Sequence, residues 1–221
     1  MHFEILVEDR SGKLALDTLL PKILREGDTH TVHAYRGIGR IPGGLQTTQD
    51  PNKRILLEQL PRLLRGYGKA FAGYGAGYKA AVIVVCDLDS RCRRDFRTEL
   101  ISLLQDCDPP PLAKFCIAEE EGEAWFLGDP NAIERAYPRV RKAILDGYVQ
   151  DSICGTWEVM ADALYPGGAA TLASEPYSVI GKVKGEWAET ITPHMDVEAN
   201  RSPSFQYLRN NIRKISDEDR A

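Results

Sequence analysis

The run Ala80-Ala-Val-Ile-Val-Val-Cys86 contains no polar residue and stops abruptly at Asp87-Leu88-Asp89. A strand with one wet face alternates polar and apolar positions. An unbroken run, rich in β-branched residues, must be covered on both faces, as in a parallel sheet held between helix layers. It falls far short of the ~20 apolar residues of a membrane span, and no other stretch approaches that length. The opening residues, Met1-His2-Phe3-Glu4, carry neither the basic segment nor the cleavage site of a secretion signal. The expectation is a cytoplasmic chain with no membrane partner. The cysteines at 86, 92, 107, 116 and 154 agree, since they form no C-x-x-C pair and offer neither a disulfide framework nor a structural zinc site. His30 and His33, three apart on a predicted strand, face opposite sides and make no zinc pair either.

Around this central strand the pattern alternates. Residues 3–8 form a short apolar strand ending at Glu8-Asp9. Ser11 is the expected cap of a helix whose Leu16, Leu19, Leu20, Ile23 and Leu24 recur at helical spacing, with Pro21 expected to kink or split it. A strand over 31–36, a glycine-rich loop over 37–50 and a helix over 51–64 follow. The segment 66–79 (GYGKAFAGYGAGYK) reads as a second glycine-rich connection. Its Tyr67, Phe71, Tyr74 and Tyr78, interleaved with Lys69 and Lys79, suit single-stranded nucleic acid. A helix over 91–105 buries Phe96, Leu100, Leu103 and Leu104, prolines 109–111 end it, and a strand over 114–118 leads to an acidic turn. Strands alternating with helices predict a parallel α/β sheet with helices on both faces. From residue 131 the pattern is helical. Domains of 1–130 (α/β core) and 131–221 (helical C-terminal extension packed on the core) follow. In the last helix Phe205, Leu208, Ile212 and Ile215 make a packing stripe behind the cap Ser202 and Pro203.

Net charge is −4, which does not by itself suggest a nucleic-acid partner, but its distribution is uneven. Residues 51–97 hold ten Lys/Arg against four Asp/Glu, residues 106–134 hold eight acids and one base, and residues 201–214 hold four bases and no acid. In open α/β sheets functional groups gather outside the carboxyl ends of the strands. Acids stand at three such points: Glu8, the pair Asp87 and Asp89, and the run Glu119, Glu120, Glu121 and Glu123. If the segment is extended, Asp87 and Asp89 point the same way and can chelate one cation. Hard oxygen donors suit Mg²⁺ or Mn²⁺. Next to such a site, Arg91, Arg93, Arg94 and Arg97 at a helix start, with Lys79, are candidates for contact with a phosphate backbone.

These residues resemble a known group. Ile5-Leu-Val-Glu8, followed by a helix and later by Val-Val-Cys-Asp87-Leu-Asp89, is similar to the TOPRIM fold of topoisomerases, primases and OLD-type nucleases. Glu123-Ala-Trp-Phe-Leu-Gly-Asp129-Pro130, Met195-Asp196 and Ser202-Pro203-Ser204-Phe205 bring it closer to a TOPRIM-like branch that often accompanies ATPases in bacterial defence islands. The resemblance spans about the full chain. It implies a TOPRIM-like core and a Mg²⁺-dependent (or Mn²⁺-dependent) nuclease acting on DNA or RNA, the effector of an anti-phage defence system with a partner ATPase. Glu8 matches the family's metal ligand or general acid/base. Asp87 and Asp89 match its D-x-D, and Glu123 is a further ligand or a positioning residue. Two positions depart from the pattern: Asp9 stands where the family usually has Gly, and Arg10-Ser11-Gly12-Lys13 stands where nucleases often carry another acid. Both departures favour the alternative, a non-catalytic TOPRIM-like subunit that regulates an ATPase. A third reading takes Asp87 and Asp89 as the nucleophile and acid of a haloacid-dehalogenase-like phosphatase. It ranks last, because such enzymes place the motif on their first strand.

Overall fold

A computed structural model describes residues 1–42, 53–75, 77–89, 91–119, 121–151 and 155–220. Most of the predicted loop over 37–50, the start of the helix predicted at Pro51, Glu120 and Cys154 lie outside them. Four parallel strands, β1 (His2–Val7), β2 (Thr29–Ala34), β3 (Ala80–Asp87) and β4 (Ala113–Ala118), form one sheet in the order β2-β1-β3-β4. The N-terminal helices are α1 (Arg10–Ile23), α2 (Leu56–Gly73) and α3 (Arg93–Gln105). After β4 come α4 (Glu123–Leu127), α5 (Pro130–Ala136), α6 (Lys142–Asp146), α7 (Thr156–Leu164), α8 (Gly168–Ala173), α9 (Tyr177–Ile191) and α10 (Pro203–Arg220). None of the described helices is long and apolar enough to cross a membrane.

The apolar run at 80–86 does what its composition requires. Ala81, Ile83 and Val85 join Phe3, Ile5 and Val7 on one face, under α1 and the C-terminal helices. Val82, Val84 and Cys86 join Leu6 on the other, under α2 and α3. All seven run residues are buried. The C-terminal helices share the first of these cores: Trp125, Trp187, Phe205, Leu208, Ile212 and Ile215 are packed in it. The described residues after 130 therefore complete one helix layer over the sheet, and the predicted boundary at 130 marks no break in the packing.

Three local expectations change. The cap of α1 is Asp9, whose carboxylate accepts from the Gly12 N–H at 2.7 Å and from the Ser11 hydroxyl at 2.6 Å. Pro21 does not split α1, because it sits in the exposed last turn, where little helix remains to be broken. Finally, α2 runs to Gly73, through most of the stretch read as a glycine-rich connection. Gly68 is buried there against the loop after α3, and a Cβ at this position would lie 1.9 Å from the Pro109 carbonyl oxygen. That glycine marks a close approach between two segments, which a local reading takes for a breaker.

Candidate functional site

The strand order reverses between β1 and β3, since the chain goes outward from β1 to β2 and then returns past β1 to β3. A crevice opens at the carboxyl ends of two strands flanking such a switch point. Glu8 follows β1 and Asp87 ends β3, so these two predicted acids meet there. The Glu8 carboxylate accepts weakly from the Asp87 backbone N–H at 3.4 Å. With Asp9, Gly12, Glu123, Trp125 and Lys184, among others, they line a cleft of about 40 Å³. One water needs roughly 10–15 Å³, so the cleft holds a cation or a few waters and excludes a sugar or a base.

Glu123 opens α4, is 4% exposed, and lines the cleft from the helix that follows β4. A polar brace sets the α4 segment in place. The Trp125 indole N–H donates to the Ser204 hydroxyl at 3.1 Å, Asn200 donates to the Trp125 carbonyl at 2.8 Å, and the Asp196 N–H donates to Asp129 at 2.8 Å. Ser202 and Ser204 in turn hold Asp151 through a hydroxyl and a backbone N–H. Trp125 meets Phe205 edge-on at 5.7 Å. The Glu123-to-Pro130 and Ser202-to-Phe205 segments, distant in sequence, are thus one unit behind the cleft.

The counter-charge is Lys184 on α9. Its ammonium lies 3.2 Å from Glu123 and 3.8 Å from Glu121. Burial alone would push the lysine toward neutrality, but Glu123, Glu121, Asp87 and Asp9 outweigh it and hold Lys184 charged, above the ordinary lysine range. One cation does not balance these acids. Burial, with the charges of Asp89 and Asp9, pushes Glu8 up to about 7 against the Asp87 N–H and Lys184. Burial and the neighbouring Glu8 and Glu123 push Asp87 well above the usual carboxylate range, and burial raises Glu123 despite Lys184. Carboxylates in this state retain protons or accept a cation in their place. Apart from the Lys184 ammonium, the charged groups lining the cleft offer oxygen donors, which fits Mg²⁺ or Mn²⁺ with Asp87 and Glu123 to hold it and Glu8 beside them as a further ligand or proton carrier. Among the described residues, no three His, Cys, Asp or Glu side chains are already set in a common coordination geometry.

Asp89 is placed differently from the D-x-D expectation. The strand ends at Asp87, and Asp89 turns into the left-handed region with φ of 50°. It is exposed and lines no wall of the cleft, although its charge reaches Glu8. The extended geometry that would make Asp87 and Asp89 one chelate is therefore absent. Within the stretch that lacks the further acid, Gly12 has no room for a side chain: a Cβ there would lie 2.6 Å from Val7 Cγ2.

The predicted phosphate-binding residues divide as well. Arg91 donates to the Gly39 carbonyl at 2.7 Å and stacks 4.7 Å over the Phe96 ring, ahead of α3. Arg93 pairs with Glu119, Arg94 approaches Asp95 at 3.5 Å, and Arg97 is exposed on α3. Lys79 precedes β3, at the opposite edge of the sheet from the cleft, and pairs with Asp219 at 2.7 Å. Lys184 is the residue that local motifs passed over. A signal was there: Lys184, Trp187, Ala188 and Ile191 share one helical face, and the last three are buried. A lysine on a buried stripe has to find a carboxylate. No family model, curated protein or solved structure matches this chain.

Proposed function

We propose that this chain is a Mg²⁺- or Mn²⁺-dependent phosphodiesterase acting on DNA or RNA. One observation carries the reading: three carboxylates with raised pKa values, Glu8, Asp87 and Glu123, line one cleft with Lys184 at the switch point of a parallel sheet. That is a cation-hungry, proton-exchanging crevice. Glu8, poised at about 7, can take and return a proton at neutral pH, as a general acid/base must. Lys184 supplies a fixed positive charge where charge develops on a reacting phosphate. Asp87 and Glu123 would hold the cation, with Asp89 able to join through movement of its turn. When bound, the divalent ion supplies Lewis-acid polarisation of the phosphate and a lowered water pKa. The resemblance to the TOPRIM-like nucleases supports this reading, and from it alone come the partner ATPase and the anti-phage role.

The test is cleavage of labelled single-stranded and duplex DNA and RNA with Mg²⁺, Mn²⁺ or a chelator. Metal-dependent cleavage that Asp87→Asn abolishes is the expected result. A second reading, a non-catalytic regulatory subunit of an ATPase, draws on the outward turn of Asp89 and on Lys184 already standing among the acids. Cleavage of nothing under any metal, or an unaffected Asp87→Asn, would put that reading first.

A further inference from the structure

The acidic cleft is too small for a nucleotide, so whatever reacts there must rest most of its bulk outside. Beside the cleft, and sharing Asp9 and Ser11 with it as walls, runs a groove of about 600 Å³ between α1, the turn after β2 and α9. This volume falls within the ~300–1,000 Å³ typical of pockets that take a small ligand. Its cations are Arg10, Arg36 and Lys182, all exposed. Among the described residues no carboxylate pairs with Arg10 or Arg36, and Lys182 has only a loose surface partner, Glu186 at 3.8 Å. Leu14 and Tyr35 give the groove an apolar flank.

We propose that this groove seats one nucleotide unit of a single polynucleotide strand, next to the phosphate that enters the acidic cleft. The proposal rests on the phosphodiesterase reading and specifies its substrate side. Arg10 and Arg36 hold the flanking phosphate, since unpaired guanidiniums match phosphate oxygens in pairs. Leu14 packs against the sugar or base. Glu186 and Glu189, on the α9 side, accept from sugar hydroxyls or base amino groups and repel phosphate, which sets the direction in which the strand lies. The wall at Gly181 is open, because a Cβ built there meets nothing within 4 Å. A larger side chain at that exposed helical position fills the groove without disturbing the core.

The experiment measures fluorescence anisotropy of end-labelled 12-nucleotide single-stranded DNA and RNA on the full chain. All comparisons use the Asp87→Asn background, and thermal melts check folding. Gly181→Leu should raise Kd at least tenfold. The double variant Arg10→Ala/Arg36→Ala should do the same and flatten the salt dependence by roughly 0.7 in log–log slope, as the loss of one phosphate contact on a single strand requires. Lys79→Ala, at the far edge of the sheet, should change nothing. Which of the two probes binds more tightly identifies the polynucleotide. Unchanged binding in both Gly181→Leu and the arginine pair overturns the groove and leaves the phosphodiesterase reading standing. Binding lost in these variants by a chain whose parent cleaves nothing keeps the groove and sinks that reading. A chain that binds neither probe overturns the groove outright.

Discussion

The two edges of the sheet carry clusters built from the same residue types, with opposite electrostatics. At the amino edge, Asp28, Asp217 and Asp219 face four cations. The Met1 amino group lies 3.3 Å from Asp28 and 3.4 Å from Asp219, Lys79 lies 2.7 Å from Asp219, Arg25 bonds Asp217 through two nitrogens, and Arg220 lies 3.3 Å from Asp28. Burial would raise Asp28, but the Ser216 hydroxyl, the Arg25 N–H and the charged partners hold it below the usual range. Hydrogen bonds from Arg25 and Lys79 likewise lower Asp217 and Asp219. At the carboxyl edge, Glu8, Asp87 and Glu123 are all raised around the single Lys184. The amino edge is neutralised and ties the end of α10 to the sheet. The carboxyl edge is left short of positive charge, and that shortage is what makes it chemically useful.

The largest effect should come from Lys184. Lys184→Met removes the cation of the cleft and should cost roughly 3–5 kcal/mol at pH 7.5, the range for orphaning a buried ion-pair partner. The loss should shrink at pH 5, where the carboxylates take up protons, and in the presence of Mg²⁺. Urea titrations at the two pH values check it, and a pH-independent loss would mean that Lys184 acts only by packing.

Glu8→Gln tests the same edge with the opposite sign. The pKa of Glu8 is raised from 4.5 to about 7 on folding, so its contribution is fully present below pH 4.5 and is lost as pH rises toward 7. The neutral glutamine should therefore stabilise the chain at pH 8 by about 3 kcal/mol and do little at pH 4. Thermal melts of the two proteins across pH 4–8 should converge at the acid end. Curves that stay parallel remove the electrostatic account of the cleft.

At the amino edge the sign reverses. Asp28 is held below its ordinary 3.8, so its contribution is present at neutral pH and disappears as pH falls through that lowered value. Asp28→Asn should cost about 1–3 kcal/mol at pH 7, as expected when buried hydrogen-bond partners lose a charged acceptor. Chemical denaturation at pH 7 and pH 3 should show the gap closing. The smallest effect belongs to α3: Arg93→Ala and Arg97→Ala, both exposed, should change stability by no more than ~0.5 kcal/mol. A larger loss for Arg93 alone would show that its pairing with Glu119 steadies the turn toward Glu123.

Much of this arrangement was legible because it depends on short-range pattern. A strand that is apolar at every position can only be central, and Ala80–Asp87 lies between β1 and β4 with both faces covered. The stripe of α10 and its Ser202 cap followed from helical period and capping chemistry, and the Phe205 N–H does donate to the Ser202 hydroxyl at 3.2 Å. Glu8 and Asp87 were legible as a pair because acids that end parallel strands fall at one edge of the sheet whatever the details of the helices.

Whether a particular acid enters the crevice or turns away was decided by tertiary structure. Asp89 lies outside the cleft because the backbone at that residue turns left-handed once the strand ends, while Glu123 enters it because Ser204 and Asn200 grip Trp125 two residues on. Lys79 and Lys184 carry the same charge. The start of β3 places one against Asp219 at the amino edge, and the packing of α9 on α1 places the other among the acids. Local sequence sets period, capping and strand-end position, since these depend on near neighbours. The partner of a charge depends on which distant segment is folded against it, and the pKa values of the cleft follow from that partner and from the water the fold excludes.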